Sequence, residues 1–122
     1  MKILYTAEAA VTGGRAGHGR TSDGRLDVSL SVPATMGGTG GAGTNPEQLF
    51  AIAYAACFQS TLLNLAKGQK LDVSNSIVIA RVGIGPTGHG GFGLTVALDL
   101  HAPALARGDA EHLMAEAHVG RG

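Results

Sequence analysis

Apolar and polar residues follow a few distinct rhythms along this chain. Ile3 to Thr12 (ILYTAEAAVT) is rich in β-branched and small residues and ends at Gly13-Gly14, which predicts a first strand. After the loop GGRAGHG come a short extended piece and Ser22-Asp23-Gly24. Leu26, Val28, Leu30 and Val32 then alternate with Asp27, Ser29 and Ser31, a period of two that gives a strand one buried face. Asp-Gly between two extended runs favours a tight hairpin, so the N-terminal third reads as a β-meander.

Pro33 stops that strand, and Gly37 to Gly43 (GGTGGAG) form a flexible connector. Thr44-Asn45-Pro46-Glu47 is a helix start: Thr44 can cap, Glu47 can complete a capping box, and proline suits the first turn. The helix runs to about Lys67, with Gly68 as its stop. Its first half is apolar almost all the way round (Leu49, Phe50, Ile52, Ala53, Ala55, Ala56, Cys57, Phe58), as in a helix covered on most sides. A chain this small can hardly enclose such a helix, so a second chain is expected to help cover it.

Ser76 to Ile84 and Phe92 to Ala102 predict two more strands joined by the glycine-rich turn GPTGHGG. Asp109 to His118 reads as a short amphipathic helix with Leu113, Met114 and Ala117 on one side. Three strands, a long helix, two strands and a short helix make an α+β fold, mainly antiparallel, in one domain spanning 1–122.

Composition narrows the function classes. Nine Lys+Arg balance nine Asp+Glu, which leaves no basic field for nucleic acid. The apolar runs carry polar interruptions, so neither a transmembrane nor a secretory reading is expected. One cysteine precludes an internal disulfide framework or a Cys-rich zinc site, and fits a reducing, cytoplasmic compartment. The histidines (His18, His89, His101, His112, His118) show no ligand motif, and GGTGGAGTNPE lacks the Gly-Lys-Ser/Thr ending of a phosphate loop. No metal, cofactor or nucleotide is expected.

Three residues remain as candidates for chemistry. Cys57 reads either as a small core hydrophobe or as a nucleophile, and the latter needs a cation from elsewhere to favour its thiolate. Arg15, set between Gly-Gly and Ala-Gly, reads either as a solvated charge or as that cation. Glu47 reads either as a helix-capping residue or as the carboxylate that holds the Arg15 fork. Glu47 and Cys57 stand ten residues apart, about 15 Å along a straight helix. The two halves of such a site are therefore expected to come from different chains of a dimer.

Asn45-Pro46-Glu47-Gln48-Leu49-Phe50-Ala51, followed by Tyr54-Ala55-Ala56-Cys57-Phe58, resembles the central-helix signature of the OsmC/Ohr family. Gly13-Gly14-Arg15, Ser22-Asp23-Gly24 and Gly85-Pro86…Gly90-Gly91-Phe92 match too, and the likeness runs from about Tyr5 to His118. The Gln-Leu-Phe and Tyr variants are more similar to the organic hydroperoxide resistance branch than to the osmotically induced one. The resemblance implies an intertwined homodimer with long helices packed between sheets, acting as a thiol peroxidase on organic and fatty-acid-type hydroperoxides. By position it implies that Cys57 is the peroxidatic cysteine, that Arg15 stabilises its thiolate and that Glu47 fixes Arg15. Phe50, Phe58 and Met36 are the candidates to line an apolar approach, although core packing accounts for the same residues.

In the family, a resolving cysteine follows the short helix within a Val-Cys-Pro-Tyr-type segment, and a final strand follows that. Here Val119-Gly120-Arg121-Gly122 follows His118, so the strand and the second cysteine are absent from this sequence. A one-cysteine cycle with an external thiol is then expected, with a lipoyl-type dithiol as the other reductant to consider. The alternative is a dimeric relic or hydrophobic-ligand binder of the same fold without turnover, or a structural domain with an inert Cys57.

Overall fold

The computed structural model describes residues 1–121, and its elements occur in the predicted order of three strands, helix, two strands, helix. Contacts divide the chain into two compact units, Met1–Leu49 and the remainder from Phe50 onward.

In the first unit, β1 (Ala9–Thr12), β2 (His18–Thr21) and β3 (Asp27–Ser29) form an antiparallel sheet in the order β1-β2-β3. Ala9 faces Thr21 and Thr12 faces His18, while His18 in turn faces Ser29. The first strand is shorter than the predicted Ile3–Thr12. β2 ends at Thr21 in the turn around Gly24, which has φ +74°, so no long neighbour is present for residues 3–8. One further bond, Ser22 N–H to Glu8 O at 2.9 Å, continues the ladder, and Ile3, Leu4 and Tyr5 stay exposed. The third strand is likewise shorter than Leu26–Val32, with Leu30 forming a parallel bridge to Thr44 instead.

That bridge organises the unit. Leu30 donates its N–H to Gly17 O at 2.8 Å, and Ser31 donates to Thr44 O at 2.9 Å. The end of β3 thus lies between the glycine-rich turn after β1 and the segment that enters the long helix.

The helix α1 (Pro46–Gly68) spans both units. Its cap lies one residue later than predicted: the Asn45 side chain accepts the Gln48 N–H at 2.9 Å, while Thr44 Oγ1 donates to Gln48 Oε1 at 2.7 Å. Proline at the first helical position makes its predecessor Asn45 the cap. The stop also differs. Gly68 remains helical, and Lys70, with φ +57°, takes the left-handed position. Leu71 N–H reaches Ala66 O at 2.9 Å and Lys70 N–H reaches Lys67 O at 3.3 Å, the paired bonds of a Schellman ending.

The second unit contains β4 (Ile77–Pro86), β5 (Phe92–His101) and α2 (Arg107–Arg121), and Gly122 lies outside the described residues. Phe58, Leu62 and Ala66 repeat every four residues on α1 and meet Leu113 and Ala117 of α2 and Val73 in a small core. Ten cross-strand pairs hold β4 to β5. One hairpin face is apolar along its length, pairing Val78 with Leu100, Ala80 with Leu98, Val82 with Val96, Ile84 with Leu94 and Pro86 with Phe92. Val78, Leu98 and Leu100 pack on the core, whereas Val96, Leu94 and Phe92 at the other end are exposed.

The helix α1 shows the same division. One stripe is buried, and Ile52 (71% exposed) and Leu63 stand out on another. By length and composition α1 does suffice to cross a membrane, with mean hydropathy 1.5 in its most apolar stretch, 17% of which is buried in the single chain. The stretch meets this measure although Gln59, Ser60, Thr61 and Asn64 interrupt it, because the apolar residues around them carry the average. A soluble protein's core helix has the same composition, and here the Phe58–Leu62–Ala66 stripe is occupied by protein.

Candidate functional site

The Arg15 turn follows from its glycines. Gly13 (φ +75°) and Gly14 (φ +57°) take left-handed conformations open to glycine, and a 3-10 turn spans Gly14–Ala16. Gly17 closes the turn so tightly that a Cβ there would lie 1.7 Å from Thr12 O. Arg15 is thereby presented on a short, backbone-defined loop.

Its guanidinium meets Glu47 in a two-point contact, Nη1 to Oε1 at 2.8 Å and Nη2 to Oε2 at 3.1 Å. The Leu30–Thr44 bridge accounts for this meeting across 32 residues of sequence, since it draws the start of α1 beside the strand end that also binds the Arg15 turn. The Glu47 side chain keeps 14% of its surface exposed and Arg15 keeps 39%. Hydrogen bonding from Arg15 holds the Glu47 carboxyl below the usual carboxylate range, with burial opposing and the Arg15 charge adding to the effect. The same hydrogen bond raises Arg15 from its ordinary value. Both groups are thus ionised across the ordinary pH range, and the fork is held in one orientation. Glu47 makes this ion pair from the first turn of α1, where a carboxylate also suits the helix dipole.

Cys57 lies midway along α1 and is exposed in the single chain. Phe50 stands seven residues before it and Tyr54 three residues before it, spacings that put all three on one side of the helix. The rings of Phe50 and Tyr54 stack, with centroids 5.8 Å apart and planes 22° from parallel. Tyr54 belongs to the family signature but is not among the site residues the sequence proposes, and its i, i+4 spacing from Phe50 is the signal for the stack. Met36 is exposed in a 3-10 turn, Ala34–Met36, of the first unit. Phe58, predicted alongside Phe50 to line an approach, is fully buried in the core and touches the His118 ring at a centroid distance of 5.0 Å. The face carrying Phe58 points into protein, so the residue packs and presents no surface.

Elsewhere, His18 contacts Asp27, whose other oxygen lies 3.4 Å from Arg20 Nε, an exposed cross-strand cluster. Among the described residues, no three His, Cys, Asp or Glu side chains gather in a way that could hold a metal ion.

The model of the family described as "OsmC-like protein" matches residues 38–119. The organic hydroperoxide resistance protein of Xanthomonas axonopodis pv. citri is 46% identical over 96% of this chain and 82% of its own length. OhrB of Bacillus subtilis, also named an organic hydroperoxide resistance protein, is 39% identical over 94% of this chain and 84% of its own. Among solved structures, a putative organic hydroperoxide resistance protein of Vibrio cholerae, with captopril bound in one of its active sites, superposes with a TM-score of 0.90. It is 45% identical, and the match covers 98% of this chain and 81% of that one. With its family model matched over most of its length and its architecture shared with these structures, this chain belongs to the OsmC/Ohr family.

Proposed function

We propose that this protein is a thiol-dependent peroxidase that reduces alkyl and fatty-acid-type hydroperoxides to alcohols, in defence against organic hydroperoxides. The two-point Arg15–Glu47 pair is the observation that carries the reading. A guanidinium immobilised by a carboxylate is a preorganised cation, which a cysteine needs to react as its thiolate. The exposed Cys57 supplies the nucleophile, and the relatives' names supply the substrate class.

In the proposed cycle the Cys57 thiolate attacks the terminal oxygen of R–O–OH and the O–O bond breaks. The alkoxide takes a proton and leaves as the alcohol, and Cys57 becomes sulfenic acid. An external thiol then attacks the sulfenic sulfur, expelling water and leaving a mixed disulfide. A second thiol releases Cys57 and carries away the oxidising equivalents as a disulfide. A lipoyl-type dithiol would perform both reductive steps within one molecule.

The working unit we propose is a homodimer. Exposed Ile52 and Leu63 on α1 and the bare end of the hairpin face form apolar surface of the kind a second copy would cover. The ten-residue step along the helix from Glu47 to Cys57 favours the Arg15–Glu47 pair of one chain serving Cys57 of its partner.

The test is peptide-mapped mass spectrometry after one equivalent of an organic hydroperoxide. Gain of one oxygen or of a thiol adduct at Cys57, sharply reduced in Arg15→Ala, is the expected result, and an unreactive native Cys57 overturns the reading. Mixing Arg15→Ala chains with Cys57→Ala chains then restores activity through one intact site per mixed dimer. No restoration, with exchange of chains demonstrated, overturns the shared site.

A further inference from the structure

The Arg15–Glu47 pair closes a ring of chain whose far side is held by side chains that the proposed cycle does not use. His18 opens β2 three residues after Arg15, and it faces Ser29 in the β2–β3 register. Ser29 O accepts the Thr44 N–H at 3.0 Å, and Thr44 stands three residues before Glu47. The path from Arg15 through His18, Ser29 and Thr44 to Glu47 thus has two short arms of equal length. We propose that His18 is a positioning residue for Arg15, holding the far end of this ring so that the guanidinium stays in its two-point contact with Glu47. For its effect on Cys57 the inference rests on the peroxidase reading.

Three observations support the role. His18 Nε2 contacts Asp27 Oδ1, and His18 Nδ1 lies 3.5 Å from Ser29 Oγ, so one ring reaches two residues of β3. Arg20, directly opposite Asp27, has its Nε 3.4 Å from the other carboxylate oxygen and so steadies the group that His18 meets. The backbone beside His18 already serves the turn: Gly17 N–H closes it on Gly14 O at 3.1 Å, and Gly17 O accepts the Leu30 N–H at 2.8 Å. A slip of β2 against β3 would displace Gly17, and with it the turn that presents Arg15. All of these residues belong to the first unit.

Exposure limits the size of the effect. The His18 and Asp27 side chains keep 48% and 49% of their surface, and a cross-strand pair so solvated shifts an equilibrium by only about two- to fivefold. Removing the ring is therefore expected to make the open form of the Arg15–Glu47 pair about threefold more populated.

Two readouts test this on the full chain in wild type, His18→Ala and His18→Gln. Rotation of the Arg15 guanidinium about Nε–Cζ must break both bonds to Glu47, and nitrogen NMR exchange spectroscopy measures it without any peroxide. Rotation is expected to be about threefold faster in His18→Ala and close to wild type in His18→Gln, whose amide can still bond Asp27 or Ser29. The second readout is the rate of Cys57 oxidation by an organic hydroperoxide. It is expected to fall about threefold in His18→Ala, with no further fall when that substitution is added to Arg15→Ala, because the effect passes through Arg15. Arg81→Ala, which breaks an exposed cross-strand ion pair with Asp99 in the other sheet, controls for general destabilisation and changes neither readout. The positioning role is overturned by unchanged rotation in His18→Ala, or by equal acceleration in His18→Gln or Arg81→Ala. It is overturned as well by a Cys57 rate that stays constant while rotation quickens, or by a loss that persists in full without Arg15. Faster rotation in His18→Ala beside a wild-type Cys57 that no organic hydroperoxide oxidises overturns the peroxidase reading instead, and leaves His18 as the residue that positions Arg15.

Discussion

Phe58→Ala separates packing from substrate contact at a position that the sequence leaves open to both. Phe58 has no exposed surface, and its neighbours in the core are Leu62, Ala66, Val73, Leu113 and Ala117, with the His118 ring 5.0 Å away. Truncating a buried phenylalanine removes the transfer gain of the ring and leaves a cavity, at a combined cost of about 3–5 kcal/mol. The fully buried set in this unit is small, so few neighbours are available to collapse into the void. Against a total stability of about 5–15 kcal/mol, this is a large fraction. With an unfolding entropy of about 2.1 cal/mol/K per residue, 3 kcal/mol corresponds to roughly 12 °C in the midpoint of a chain this long. Thermal and urea unfolding at matched chain concentration measure the loss, because association would otherwise shift the apparent stability. Phe58→Leu, which keeps most of the volume, is expected to lose about 1 kcal/mol. A Phe58→Ala protein that unfolds at the wild-type midpoint would refute the placement of this ring in the core.

Two further substitutions address the ends of α1. Lys70→Gly relieves a left-handed lysine that costs about 1–2 kcal/mol, less about 0.5–1 kcal/mol for glycine's greater chain entropy, so a net gain of roughly 0.5–1 kcal/mol is expected in urea unfolding. An equal gain in Lys70→Ala would show that the cause lies elsewhere. At the other end, the Glu47 pKa is lowered by folding, so its stabilisation is present above the unfolded value of about 4.3 and disappears as pH falls through the lower, folded value. Wild type should therefore exceed Glu47→Gln in stability by a constant margin above about pH 5 and lose that margin below pH ~4.3. Parallel curves from pH 2.5 to 7 would remove the ion pair from the account.

Strong rhythms made the second unit legible. The one-sided apolar spacing of α2 and the strict alternation of Leu94, Val96, Leu98 and Leu100 each select one element type. The first strand was over-extended because propensity describes what a segment favours, whereas a ladder also needs a neighbour of equal length, and β2 ends at Thr21. Thr44 and Asn45 are both competent caps, and local chemistry alone does not rank them. Gly68 resembles a stop, but the Leu71–Ala66 contact that closes the helix depends on where the core lies. The Arg15–Glu47 pair was suggested by residue type, while its two-point geometry depends on the Leu30–Thr44 bridge, which no periodicity announces. A helix apolar all round conceals which of its faces turns inward, and for this reason Phe50 and Phe58 looked equivalent until the core was seen.

The hairpin carries a consequence for the life of a newly made chain. Among the described residues, each of its ten-residue strands has the other as its only sheet neighbour, so the outer edge of each offers N–H and C=O groups to any extended segment that passes. The apolar end at Val96, Leu94 and Phe92 makes such capture adhesive as well as directional. In the proposed homodimer, productive coverage of this surface would be a race whose rate depends on how many sister chains are nearby, while wrong captures draw on every unfolded polypeptide in the vicinity. Yield of the native protein should therefore depend on the pace and crowding of synthesis as much as on the final stability of the fold.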